Sequence, residues 1–330
     1  MGRRFSASRL GVAAVIVLIG LAPALAAGQA TKGSTSVSRT PWGHPDLQGV
    51  WTNTTTTPFE RPKELAGKQV LTADEQRELD RQTAARVSLD NVPRSNVGAY
   101  NEFWVERGKL SNQTSLVVDP PDGRIPPLTP DAQKQATARA QYRKEHPADS
   151  WEDIALYTRC VTRGLPGAMV PGFYNHNYQI LQTPDHVAIL VEMIHDARII
   201  PLDGRRHVGS TLRQWMGDSR GRWEGNTLVV ETTNFSPKAE FRNARENLRL
   251  IERFTRIDAD TIDYRFTVED PTTFARPWTA AIPMTKLHEP LYEYACHEGN
   301  YAVPNILSGH RADEKAAGRQ AATYAGAYLS

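Results

Sequence analysis

Cysteine is scarce: two in 330 residues, too few for a disulfide-dense scaffold or an all-cysteine zinc site. An excess of one charge is missing as well. Thirty-nine basic residues face thirty-seven acidic ones, a formal +2, so nucleic acid has no electrostatic case. The longest apolar run, near the N-terminus, falls short of the roughly 20 residues a membrane span needs. P-loop, G-x-G-x-x-G, H-E-x-x-H and C-x-x-C patterns are all absent. Phosphoryl-transfer and dinucleotide-redox chemistry lose support with them. What is present is globular: 40% hydrophobic and 23% charged residues exclude a wholly disordered chain.

Residues 1–26 read as a secretory signal peptide. Arg3, Arg4 and Arg9 precede an apolar stretch from Leu10 to Leu21, and Ala24-Leu25-Ala26 supplies small residues for cleavage. Its loss leaves thirty-six basic against thirty-seven acidic residues, and a periplasmic or secreted protein is expected. Residues 27–40 are small and polar and read as a flexible tether. The rest, 41–330, reads as one domain. A first strand spans 46–52, a helical and irregular elaboration 53–170, an antiparallel strand region 171–310, and a C-terminal tail 311–330.

Local patterns support this division. Thr72 followed by Glu75 is a capping box opening a polar helix toward Arg86. Residues 119–130 (DPPDGRIPPLTP) are too proline-rich for a helix and predict an extended loop. Pro130 at a first helical position starts a second helix running to about His146. In Thr261–Glu269, Ile262, Tyr264, Phe266 and Val268 alternate with polar residues, the mark of a half-buried strand. Further strands are expected over 187–191, 197–202, 228–230, 248–257, 278–284 and 291–295, whereas Asp218-Ser219-Arg220-Gly221 reads as a tight turn. Eight to ten strands with short links and no helical crossovers predict an antiparallel sheet. The expected class is mainly β with helical insertions (α+β), a closed or nearly closed barrel holding one small ligand inside.

Gly49-Val50-Trp51 is similar to the lipocalin G-x-W pattern, which implies a calycin-like barrel. More of the chain resembles a large uncharacterised family of exported bacterial proteins. The matching strings are PWGHPDLQGVW (41–51), DPPDGRIPPLTP (119–130), EMIHDARIIPLDGR (192–205), GDSRGRWEGNTLVVETTNF (217–235), ERFTR (252–256) and EYACHEGNY (293–301). That resemblance implies export and kinship and confers no mechanism. It also implies asparagine at the position of His176, which weighs against an essential role for this histidine.

Three clusters carry candidate chemistry. Read at period two, Val187 to Ile199 places His195 on an otherwise apolar face pointing into the barrel. A histidine there could act as a general base, oriented by Asp196 or Glu192, with Arg198 stabilising developing negative charge. The competing reading is a core histidine bonded to backbone, and a bulge near Ile194 would exchange the two faces. Residues 294–301 gather Cys296, His297, Glu298 and Tyr301. His297 and Glu298 would supply an opposing acid. Cys296 is expected either in a disulfide with Cys160, worth roughly 4–5 kcal/mol on the chain-entropy model, or as a buried thiol. Tyr174, Asn175 and Asn177 suit a ligand that is part apolar and part carbonyl or hydroxyl, or else form a turn whose asparagines satisfy backbone groups. His207 is expected in solvent.

No cofactor is implied. A divalent metal on His195, His297 and a carboxylate is a lesser alternative. Small-molecule binding is therefore the expectation, with no nucleic acid, no membrane span after cleavage and no identifiable protein partner. One form is a cofactor-independent acid–base enzyme: lyase, hydratase, isomerase or hydrolase. The alternatives are a non-catalytic periplasmic binding protein and an envelope interaction protein.

Overall fold

A short N-terminal strand sits in the middle of the sheet, with the late strands on one side and the earlier ones on the other. The computed structural model describes residues 37–86, 106, 108–172, 174–316 and 318. The expected signal peptide, residues 27–36 of the tether and most of the C-terminal tail lie outside them.

The strands are β1 (Gly49–Thr52), β2 (Val117–Asp119), β3 (Asn177–Gln182), β4 (His186–Val191), β5 (Ala197–Pro201), β6 (Asp218–Glu224), β7 (Thr227–Thr233), β8 (Arg249–Arg256), β9 (Thr261–Glu269) and β10 (Trp278–Leu287). Their order is β5-β4-β3-β1-β10-β9-β8-β7-β6, every pairing is antiparallel, and β2 joins β10 beside this path. The helices are α1 (Ala73–Arg86), α2 (Pro130–Glu145) and α3 (Ala302–Ala316).

Side-chain chemistry explains the boundaries. Thr72 and Glu75 cap α1 reciprocally, with the Thr72 N–H donating to Glu75 at 2.9 Å and the Glu75 N–H to Thr72 at 3.3 Å. The Thr129 hydroxyl accepts from the Ala132 N–H at 3.2 Å, and Pro130 opens α2. Gly225-Asn226 alone joins β6 to β7, and Gly225 adopts φ +60° as a two-residue hairpin turn requires.

Three expectations fail. Residues 291–295 form no strand, because the chain leaves the sheet after β10. Asp218–Gly221 is not a turn but the start of β6, where Ser219 and Gly221 are buried against the core. Residues 302–316, expected as strand and tail, are α3. Pro304 falls in its first turn, where no intrahelical N–H is needed, and the Asn300 side chain accepts from the Ala302 N–H at 3.1 Å.

One face of the sheet is buried throughout. Trp51, Tyr178, Phe254, Tyr264, Phe266 and Trp278 are all fully buried on it. Phe254 stacks on Tyr264 with centroids 4.7 Å apart, and Phe266 meets Trp278 edge-on at 5.8 Å. Packed aromatic rings occupy this space.

The edge strands β5 and β6 share no backbone ladder, yet their side chains meet. A Cβ at Gly221 would lie 2.7 Å from Leu202 and 2.8 Å from Ile200. Only glycine lets β5 approach β6 this closely. Arg198 of β5 also donates twice to Glu252 of β8, at 3.0 and 2.5 Å, and reaches Ser219 of β6 at 3.5 Å. The Tyr264 hydroxyl donates to the same carboxylate at 2.9 Å. Burial, then the Glu252 charge, raise the Tyr264 hydroxyl well above its usual pKa, so it stays a donor.

Candidate functional site

The turn between β4 and β5 decides which side chains face where. Ile194 and His195 are both left-handed, at φ +64° and +47°, which is costly for a β-branched isoleucine. The N–H of Val191 donates to Asp196 O at 2.8 Å and that of His195 to Glu192 O at 3.1 Å, closing the turn. Alternation is interrupted and the faces exchange. Glu192 and Arg198 go inside, each 3% exposed, while His195 is exposed. His195 is therefore not the interior base that strict period-two reading predicts. Arg198 is spent on Glu252 in the core and cannot stabilise charge beside His195.

Glu192 serves as a joint. Its carboxylate accepts from the Asn177 amide at 2.6 Å and from the Tyr292 N–H at 3.3 Å. It thereby fastens the 288–301 segment to the ends of β3 and β4. Cys160 and Cys296 are bonded in a disulfide that fastens the same segment to the 157–163 loop. Asn300 adds a third tie, donating to Thr158 O at 3.1 Å.

These ties wall an open cleft of about 1250 Å³. Glu106, Arg163, Tyr174, His176, Glu298 and Asn300 bring polar groups to its lining, and Tyr157 and Met193 add apolar surface. Arg163 Nη1 lies 3.1 Å from His176 Nε2. A guanidinium can only donate, so Nε2 accepts and the imidazole is neutral. Burial, then the Arg163 charge, push the His176 pKa down to about 3 against a smaller pull from the Val170 backbone. Gly172 lies against this ring; a Cβ there would come within 2.1 Å of His176 Nε2.

The expected residues divide. Tyr174 and Glu298 line the cleft. His195 and His297 are both exposed, with ring centroids 6.2 Å apart, and flank the lining residues Met193, Cys296 and Glu298 in sequence. Asp196 accepts from Thr162 at 2.9 Å, and burial raises its carboxyl above the usual range against the Thr162 and Arg163 hydrogen bonds. Among the described residues neither the Asp196 nor the Glu192 carboxylate is hydrogen-bonded to the His195 imidazole, so the expected orienting carboxylate is not in place. Asn177 holds Glu192, and the Asn175 N–H donates to Glu106 at 2.7 Å. Tyr301 is 70% exposed and outside the lining. His207 is half-buried and 2.9 Å from Asp218, not free in solvent.

Sequence reasoning missed Glu106, Tyr157 and Arg163. They sit in aperiodic loops, where only the three-dimensional path of the chain brings them together. A second cleft, about 790 Å³, shares Tyr157 and Arg163 and is lined by Arg139, Arg143, Arg159, Arg242 and Arg245. Glu240 pairs with Arg139 at 3.6 Å and with Arg245 at 2.7 Å. His195, His297 and a carboxylate do not assemble a metal site. Among the described residues, the group whose ligand atoms converge within 4.8 Å is Asp149, His310 and Glu314. No helix among the described residues is long and apolar enough to cross a membrane. Compared with family models and with curated proteins, the chain matches none.

Proposed function

We propose that this is an exported, periplasmic or secreted protein that binds a small, partly apolar molecule in the disulfide-walled cleft. The observation that carries the reading is Arg163: among the described residues its side chain meets the neutral His176 imidazole and, at 5.4 Å, the Tyr157 ring, and no carboxylate pairs with it, so its charge is left for a ligand. Tyr157, Tyr174 and Met193 would hold the apolar part, and Glu298 and Asn300 would meet hydroxyl or carbonyl groups. The leader supports export, and a disulfide of this kind persists in oxidising compartments. Kinship with the exported bacterial family belongs to the same proposal. So does a barrel closed through side chains at β5 and β6, as in calycins.

A catalytic form of this reading rests on His195 and His297. Two imidazoles 6.2 Å apart beside Glu298 would accommodate one substrate group between an acid and a base. Native mass spectrometry of the purified protein tests the binding reading. A retained small molecule is expected, lost from Arg163→Gln and Glu298→Gln at unchanged unfolding midpoint. Equal retention by both variants would remove the cleft from the binding surface. Conversion of the released molecule by the wild type, abolished in His195→Ala, separates enzyme from binder.

A further inference from the structure

α3 carries His310 and Glu314 four residues apart, so both side chains share one helix face. Opposite them stands Asp149, in the loop after α2. His310 Nε2 lies 3.1 Å from Asp149 Oδ1 and 3.5 Å from Glu314 Oε1. All three ligand atoms fall within 4.8 Å of one another. The side chains of His310 and Glu314 are only 12% and 11% exposed.

Three features make this more than an ion pair. An imidazole nitrogen carries at most one N–H, yet two carboxylate oxygens converge on this one. That single proton cannot give both oxygens a full, linear hydrogen bond. The two separations from His310 Nε2 also fit a metal: tetrahedral zinc with bonds of about 2.0–2.1 Å places its ligand atoms roughly 3.3 Å apart. Finally, each carboxylate has its other oxygen held from outside. Asp149 Oδ2 lies 2.6 Å from His146 Nδ1, and Glu314 Oε2 accepts from Arg311. Arg311 reaches on to the Ala148 carbonyl at 2.9 Å. Outer partners that fix the orientation of inner carboxylates are what a metal centre requires.

We propose that Asp149, His310 and Glu314 bind a divalent transition metal of the zinc type, leaving one coordination position for water. One imidazole and two carboxylates select zinc-like ions over calcium and magnesium, which take oxygen ligands only. The metal would pin α3 to the loop after α2, a contact that otherwise depends on hydrogen bonds and ion pairs. This site is separate from the disulfide-walled cleft, and its failure would leave the proposed function standing.

Isothermal titration of the chelator-treated, disulfide-bonded protein with Zn²⁺ tests it, with Mg²⁺ as a parallel arm. One Zn²⁺ per chain is expected at micromolar or tighter affinity, together with a higher thermal unfolding midpoint. His310→Ala should weaken binding more than tenfold, and His146→Ala, acting through Asp149, by about 10- to 100-fold. Co²⁺ should give the visible absorption of a tetrahedral site in the wild type and lose it in Glu314→Gln. Absence of stoichiometric Zn²⁺ uptake by the wild type would overturn the proposal. So would uptake unchanged in His310→Ala, which would place the metal elsewhere, or a preference for Mg²⁺.

Discussion

Arg198 inside the sheet and Arg163 on the cleft wall are the same side chain under opposite conditions. Arg198 is nearly sealed from water, grips a carboxylate with two hydrogen bonds, and has Tyr264 sharing that carboxylate. Among the described residues Arg163 meets a neutral histidine and the Tyr157 ring on the cleft wall, with no carboxylate paired to it. Charge compensated within the fold supports the core; charge left uncompensated at a concave surface is available to a ligand. Interior substitutions should therefore move stability and spare binding, and cleft substitutions should do the reverse.

The disulfide is where the two regions meet, so breaking it should have the largest effect. Cys160→Ser with Cys296→Ser releases a loop of 136 residues and should cost roughly 4–5 kcal/mol in urea unfolding, with loss of ligand retention. Next comes the core. Glu252→Gln leaves the Arg198 charge without its counter-charge and should cost about 3–5 kcal/mol, while the molecule retained in native mass spectrometry stays bound at temperatures where the variant is folded. Loss of that molecule from the folded variant would merge the two regions into one functional unit.

Gly172→Ala tests the cleft wall. The added methyl collides with His176, so about 1–3 kcal/mol of stability should go, along with binding. Acid sensitivity gives a smaller signal. His176 is held neutral in the fold, with pKa about 3 against 6.5 unfolded, so the unfolded chain binds the extra proton. Its contribution is complete above pH 6.5 and is lost as pH falls toward 3, at no more than about 1.4 kcal/mol per pH unit. Asp196, raised by burial, acts in the opposite sense above its ordinary value of 3.8. Urea midpoints of the wild type and His176→Asn between pH 4 and 7 isolate the histidine, and the variant should have the flatter profile. Arg163→Gln should change stability least, within about 0.5 kcal/mol, and binding most relative to that change.

Legibility in the sequence followed periodicity. Thr261–Glu269 alternates without interruption, and its predicted limits are those of β9. Capping chemistry located α1 and α2 as well. α3 was hidden because Pro304 and Gly309 interrupt its helical pattern, while its start depends on an asparagine side chain two residues upstream. Within the site, Tyr174 and Glu298 were visible as unusual polar and aromatic groupings. The Cys160–Cys296 pairing was one of two readings left open by a lone pair of cysteines. Arg163 and Glu106 were not visible, since nothing in an aperiodic loop records which distant loop it will face. Strict alternation misplaced His195 because two left-handed residues, Ile194 and His195, break the period, whereas the alternative of an irregularity near Ile194 that exchanges the faces agrees with the buried Glu192.

That pair of left-handed residues makes the β4–β5 connection a parity device. The residues from Glu192 to Asp196 set whether β5 enters the sheet in phase or out of phase with β4. Removing a single residue there would turn Arg198 and Ile200 outward and bring Ala197 and Ile199 in, leaving Glu252 without its arginine. Insertions or deletions in this connection should therefore be tolerated in twos and refused singly, so its length constrains the interior as strictly as any core side chain.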